Sequence, residues 1–236
     1  SKSDPEARLA YSLENDLPFL QGTTFYGAVN RESWYNGDYI QKYGDIVLKA
    51  NESIRESIQL CAQECAQGRE LERWEQEAIL AYFWKLQYKL GDLSLSPQEM
   101  EMLNNREGEN PDELVKMLKS KYFTASPATF ADAPHNKKKG YKGVEGRPEM
   151  GKAVYEQSCQ HCHKPYGVSE FVMDDSKLTM KMLAKNLDKH NKNSIYQITR
   201  YGTYATPGHR PYMPNYTLER LSHQQLEDFR AYVVSE

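Results

Sequence analysis

Cys159-Gln160-His161-Cys162-His163 holds two of the chain's four cysteines, three positions apart, with a histidine directly after the second. This is the C-x-x-C-H pattern of covalent c-type haem attachment. On a turn, two sulfurs at that spacing reach the two vinyl carbons on one edge of a porphyrin, and the next residue sets an imidazole under the iron as proximal ligand. The histidine separates the pattern from a redox dithiol, which needs none, and from a zinc site, which needs further ligands at similar spacing. A four-thiolate zinc site completed by Cys61 and Cys65 is the alternative reading. A thioredoxin-like dithiol would require a β-α-β pattern that the sequence does not carry. His161, between the two cysteines, is expected at the surface and away from the iron.

Outward from this motif, Pro148-Glu149-Met150-Gly151-Lys152-Ala153-Val154-Tyr155 reads as a helix with Pro in its first turn, ending just before Cys159. Downstream lies Pro207-Gly208-His209-Arg210-Pro211-Tyr212-Met213-Pro214-Asn215-Tyr216. Prolines on both sides of Met213 stiffen the loop and fix the direction of a thioether, so Met213 is the expected distal ligand; His209, on the same loop, is its competitor. Met173, Met180 and Met182 read as core filling, the last two on an amphipathic stretch.

Gly151, Tyr155, Cys159, Cys162, His163, the Pro211-Tyr212-Met213-Pro214 loop and an amphipathic C-terminal segment together resemble a class I cytochrome c domain over residues 147–236. The resemblance implies an all-α fold around one covalent haem c with one edge exposed. It implies that Gly151 permits close backbone approach where the first helix crosses the last, that Tyr155 lies on the same face, and that Leu226, Phe229 and Val233 face them. Ser222-His223-Gln224-Gln225 supplies a capping box for the last helix, and a helix from Ser194 to Tyr201 ending at Gly202 fits the middle helix.

The first half, residues 1–119, is expected to be mainly helical. Trp34-Tyr35-Asn36-Gly37-Asp38 suggests a turn. A helix over Arg73 to Leu86 has Ile79, Phe83, Leu86 and Leu90 at helical spacing. Ser96-Pro97 and Asn110-Pro111 each read as a cap followed by first-turn Pro. Between 120 and 146 Pro and Gly interrupt every periodic pattern, which reads as linker, with Lys137-Lys138-Lys139 as a solvated face.

Ile54 through Cys61, Gly68-Arg69, Leu71, Trp74 and Ala78 to Leu86 are similar to the N-terminal domain of two-domain periplasmic cytochromes, including thiosulfate dehydrogenases and the cytochrome subunit of the thiosulfate-oxidising complex. Leu71-Glu72-Arg73 also aligns with Leu218-Glu219-Arg220, which suggests a duplicated, degenerate cytochrome domain. The chain departs from the two-haem pattern because no C-x-x-C-H occurs before residue 159. One covalent haem is therefore expected, with the first half a haem-less docking or assembly module. In the oxidising compartment where such haems are attached, Cys61 and Cys65 are expected to pair locally as a disulfide, through a turn or irregular helix. A ligand or covalent-carrier role and buried thiols are the other readings.

Composition narrows the partners. The chain has 236 residues, a formal net charge of -3 and 17 tyrosines. That balance gives no general attraction for nucleic acid or an anionic membrane. No apolar run of membrane-spanning length occurs, and the absence of an apolar region near Ser1 is expected of a mature or trimmed chain. A His163/Met213 haem iron leaves no open position for substrate, so the expectation is a periplasmic or otherwise extracytoplasmic electron carrier rather than an enzyme. It would serve redox donor and acceptor proteins, among them a membrane-bound respiratory or oxidase complex. The alternative is a haem enzyme or subunit of sulfur-compound oxidation.

Overall fold

The computed structural model describes residues 5–14, 25–66, 68–105, 108, 110–126, 128–160, 162–167, 169, 171–174, 176–191, 193–203 and 213–236. The fold is all-α: among the described residues there is no strand. The helices are α1 (Pro5–Glu14), α2 (Tyr39–Tyr43), α3 (Leu48–Glu52), α4 (Ile54–Leu60), α5 (Arg73–Lys85), α6 (Pro97–Asn104), α7 (Pro111–Lys119), α8 (Pro148–Val154), α9 (Lys177–Lys185), α10 (Ile195–Tyr201) and α11 (His223–Ser235). Among the described residues, no helix is long and apolar enough to cross a membrane.

The chain forms two compact units. One comprises Thr24–Leu60 with Glu70–Pro127, the other Ser1–Thr23, Cys61–Arg69 and Ala128–Glu236.

In the first unit the expected caps form. Ser96 accepts from the Glu99 N–H while Glu99 reaches back to Ser96, and Asn110 accepts from the Asp112 N–H, each satisfying a donor that a helix start leaves open. On α5, Glu72 and Glu75 make a further capping box. The core is small, made of Ala28, Ile58, Leu80 and Phe83, with Ile79 packed at its edge. α5 ends at Lys85, so Leu86 becomes its C-cap and Leu90 opens an exposed 3-10 turn instead of extending the apolar face.

The second unit holds the larger core. Val154, Tyr155, Met180, Leu183, Ile195, Tyr196, Leu226, Phe229 and Val233 form one buried cluster, joined by Leu9 of α1. α8 crosses α11 at Gly151, where an added Cβ would meet the Asp228 carbonyl oxygen at 1.9 Å. Because the backbones touch there, the aromatic side chains above them mesh. Tyr155 stacks on Phe229 with ring centroids 5.9 Å apart, and Tyr232 lies 5.8 Å from Tyr155. Ser222 caps α11 with the expected box to Gln225. α10 stops at Gly202, whose φ of 67° and ψ of -160° lie in a region that glycine alone adopts readily.

Residues 128–146, whose composition reads as linker, belong to this unit. The Tyr141 N–H donates to Glu227 at 2.6 Å, Gln224 donates to the Glu145 carbonyl at 2.6 Å, and Arg230 donates to the Lys138 carbonyl at 2.5 Å. Backbone groups that no periodic pattern announces thus find their partners on α11, which lets a Gly-rich segment pack. Within the lysine run, Lys138 and Lys139 are solvated, but Lys137 is buried with its Nζ 3.3 Å from His190 Nε2.

Candidate functional site

The site is built where α8 gives way to a wider π-helical turn, Tyr155–Cys159. The Gln160 N–H reaches the Tyr155 carbonyl at 3.0 Å, an i to i+5 bond that takes up one more residue than an α-turn. The motif then tightens: the Cys162 and His163 N–H groups both donate to the Cys159 carbonyl, at 3.2 and 3.0 Å. Tyr155, at the head of the π-turn, donates its hydroxyl to the Asp174 carbonyl at 2.5 Å and so fastens the turn to the segment that follows it.

That following segment folds back on the motif. The Met173 N–H donates to the His163 carbonyl at 2.8 Å, and His163 Nδ1 lies 2.6 Å from the Phe171 carbonyl. A carbonyl only accepts, so Nδ1 is the donor, and Nε2 is the ring nitrogen left for another partner. Metal-ligating histidines are commonly oriented by an outer hydrogen bond of this kind.

On the opposite wall the chain around Met213 is tied to the end of α10. The Thr203 N–H donates to the Met213 carbonyl and the Met213 N–H donates to Thr203 Oγ1, both at 2.9 Å. The Tyr216 N–H donates to the Thr199 carbonyl at 2.8 Å. Gly202 lets the two chain segments of this corner approach, because a Cβ there would meet the Met213 carbonyl oxygen at 2.5 Å.

One apolar pocket lies between these walls, lined by Val154, Ser158, Cys159, Thr199, Met213, Tyr216, Leu221 and Phe229. The structure therefore brings Cys159 and Met213 to one cavity. Cys162 and His163 are not among its lining residues; the tight turn ties both to the carbonyl of Cys159, which is. His209 and His161, the competing and the surface-expected histidines, lie outside the described residues, as do residues 204–212 of the distal loop.

The donors present suit a haem. Burial, and then the neighbouring Cys162, push the Cys159 thiol up to about 12, so its sulfur stays protonated. A protonated sulfur in an apolar wall suits a covalent thioether better than a thiolate metal ligand. Met213 adds a soft, uncharged donor. Among the described residues, no group of three or more His, Cys, Asp or Glu is placed to hold a metal ion, so Cys61 and Cys65 do not complete a four-thiolate set with Cys159 and Cys162.

Cys61 and Cys65 are thiols in this structure, not a disulfide. They bound a second π-helical turn, Cys61–Cys65, and four-residue spacing along a helical turn does not favour the close Cβ approach a disulfide needs. The two π-turns repeat one local design. α4 and α8 are each seven residues long and each runs straight into a five-residue π-turn that ends in cysteine. In that register Ser57 stands with Gly151, Cys65 with Cys159, and Gly68-Arg69 with Cys162-His163. Sequence pattern alone suggested another register, through Leu71-Glu72-Arg73 and Leu218-Glu219-Arg220, but α5 begins at Arg73 whereas α11 begins only at His223.

Thr203, Thr199, Arg200 and the Phe171 carbonyl were not visible as site residues in the sequence. Thr199 and Phe171 act through their carbonyls and Thr203 partly through its N–H, backbone atoms that no residue identity marks. For Arg200 the signal existed, as a charged residue on the otherwise buried face of α10.

Residues 146–233 match the family model described as cytochrome C oxidase, cbb3-type, subunit III. Neither the curated proteins nor the solved structures give a match. The matched segment carries α8, α9, α10 and most of α11 with the pocket between them. The match supports a C-terminal class I cytochrome c domain and, with it, a haem-based electron carrier that uses haem c.

Proposed function

We propose that this chain is a single-haem c-type cytochrome, located outside the cytoplasmic membrane, that passes single electrons between a donor and an acceptor protein in a respiratory or oxidase chain. The observation that carries this reading is the placement of Cys159 and Met213 on one apolar pocket, inside the segment that matches an oxidase-subunit family. Cys159 and Cys162 would hold the porphyrin through thioether bonds, and His163 and Met213 would ligate iron from its two sides. When bound, haem c supplies one-electron exchange between ferric and ferrous iron. The chain's own contribution is to orient the imidazole through Phe171, to anchor Met213 through Thr203, and to exclude water with Val154, Leu221 and Phe229.

Two ligands on the iron leave no place for substrate, which favours a carrier over an enzyme. The first half of the sequence supports a scaffold role. In the register of the repeated π-turn it keeps one cysteine, Cys65, but has glycine and arginine where the second thioether and the imidazole would stand, so it would hold no covalent haem. An optical redox titration of the purified full chain tests the reading. One reversible one-electron transition is expected; a protein that turns over a sulfur substrate through an open iron position would overturn it.

A further inference from the structure

Arg200 is the next-to-last residue of α10 and its side chain is only 1 % exposed. Its partners among the described residues are uncharged. Nε donates to the Tyr141 hydroxyl at 3.1 Å, Nη1 to the Tyr216 and Leu221 carbonyls at 3.1 and 3.0 Å, and Nη2 to the Ser222 carbonyl at 3.3 Å. The guanidinium also lies 5.8 Å from the centre of the Tyr141 ring. Tyr216 and Leu221 both line the pocket. The fork of Arg200 thus spans residues 216 to 222, which lead into α11, and Thr199 beside it takes the Tyr216 N–H.

The anions of this corner are matched elsewhere. Glu227 accepts from Tyr141 N–H and Tyr196 hydroxyl and lies 3.9 Å from Arg230, while Asp228 is paired with Arg147 at 2.7 Å. Arg200 remains as a buried cation with carbonyl dipoles in place of a counter-ion, an arrangement that is expensive to keep and that a folded core has no need of. Its planar, rigid set of donors is what allows one side chain to reach three carbonyls at once, and lysine does not reproduce it.

We propose that Arg200 is the positioning residue of the Met213 side: it locks residues 216–222 onto α10, so that the thioether keeps its place, and its charge, buried behind the pocket-lining Tyr216 and Leu221, favours the reduced state of a bound haem. The inference rests on the haem reading above. Its electrostatic half follows because ferric iron carries one more positive charge than ferrous iron, so a fixed cation buried near the pocket raises the reduction potential.

The test uses the haem-loaded full chain with Arg200→Lys, Arg200→Gln and Tyr141→Phe, each first checked by pyridine haemochrome and mass. Two quantities are then read: the pH at which the methionine-to-ferric-iron charge-transfer band is lost, and the reduction potential. In both Arg200 variants the band should be lost at least one pH unit lower than in the parent, corresponding to about tenfold easier displacement of methionine. The potential should fall in Arg200→Gln and stay near the parent in Arg200→Lys. Tyr141→Phe, which removes one acceptor of the guanidinium, should shift the band in the same direction by less. Parent-like loss of the band in all three variants, or equal potentials for the Lys and Gln variants, overturns the proposal. If neither Arg200 variant takes up haem, Tyr141→Phe decides it: a shifted band supports the positioning role and an unshifted one overturns it. A parent protein without haem, or with haem but no methionine band, would instead sink the reading of the site.

Discussion

Gly151 and Asp228 meet where α8 crosses α11, so closely that a Cβ on Gly151 would stand 1.9 Å from the Asp228 carbonyl oxygen and 2.8 Å from Tyr232 Cβ. Backbone on one side and the root of a packed tyrosine on the other leave nothing that can yield. Gly151→Ala is therefore expected to destabilise the second unit by about 3 kcal/mol or more. Gly91→Ala, where an added Cβ meets nothing within 4 Å, should stay within about 0.5 kcal/mol of the parent. Urea unfolding of both variants compares them. Equal stability of the two would contradict the crossing.

A second glycine tests the distal wall. Gly202 combines a φ of +67° with a Cβ position 2.5 Å from the Met213 carbonyl oxygen. That backbone conformation alone costs an alanine about 1–3 kcal/mol, and the contact adds to it. Gly202→Ala should lower the temperature at which the methionine-to-iron band disappears more than it lowers the temperature of global unfolding. Parallel shifts in the two would show that Gly202 does not hold the Met213 segment specifically.

Met213→Ala separates ligation from attachment. On the proposed attachment through Cys159 and Cys162, the covalent haem should remain, while the methionine-to-iron band vanishes and the potential falls with the loss of a soft donor. Persistence of the band would move the distal bond away from Met213.

The pH dependence of stability should carry a mark from His223, whose ring packs 3.8 Å from that of Tyr141. Burial, and secondarily the Arg200 charge, hold its imidazole below the ordinary value. The unfolded chain, titrating near about 6.5, then binds more protons than the folded one. Its contribution to stability is complete above about pH 6.5 and declines as the pH falls toward the folded value. His223→Gln should flatten that decline; an unchanged slope would assign it to other groups.

The second half was legible in the sequence because its signals are local. Ser222 three residues before Gln225 caps α11, Gly202 closes α10, and Gly151 with Tyr155 marks a helix crossing that the coordinates bear out through the Asp228 contact. What stayed hidden is carried by backbone atoms or by context. The Phe171 carbonyl orients His163, the Thr203 pair fastens Met213, and residues 138–145 lie against α11 although their glycines read as a spacer. The shared design of the two π-turns was hidden for another reason. Replacing Cys162-His163 by Gly68-Arg69 removes the very residues by which such a motif is recognised, and only the common run from helix into π-turn reveals it.

Intact mass of the full chain, purified from a host that matures c-type cytochromes, tests the central claim most directly. The account predicts a coloured protein heavier than its polypeptide by one haem, and a colourless one of bare polypeptide mass when Cys159 and Cys162 are both replaced by alanine. A parent protein that emerges from the same host at the mass of the polypeptide alone would contradict it.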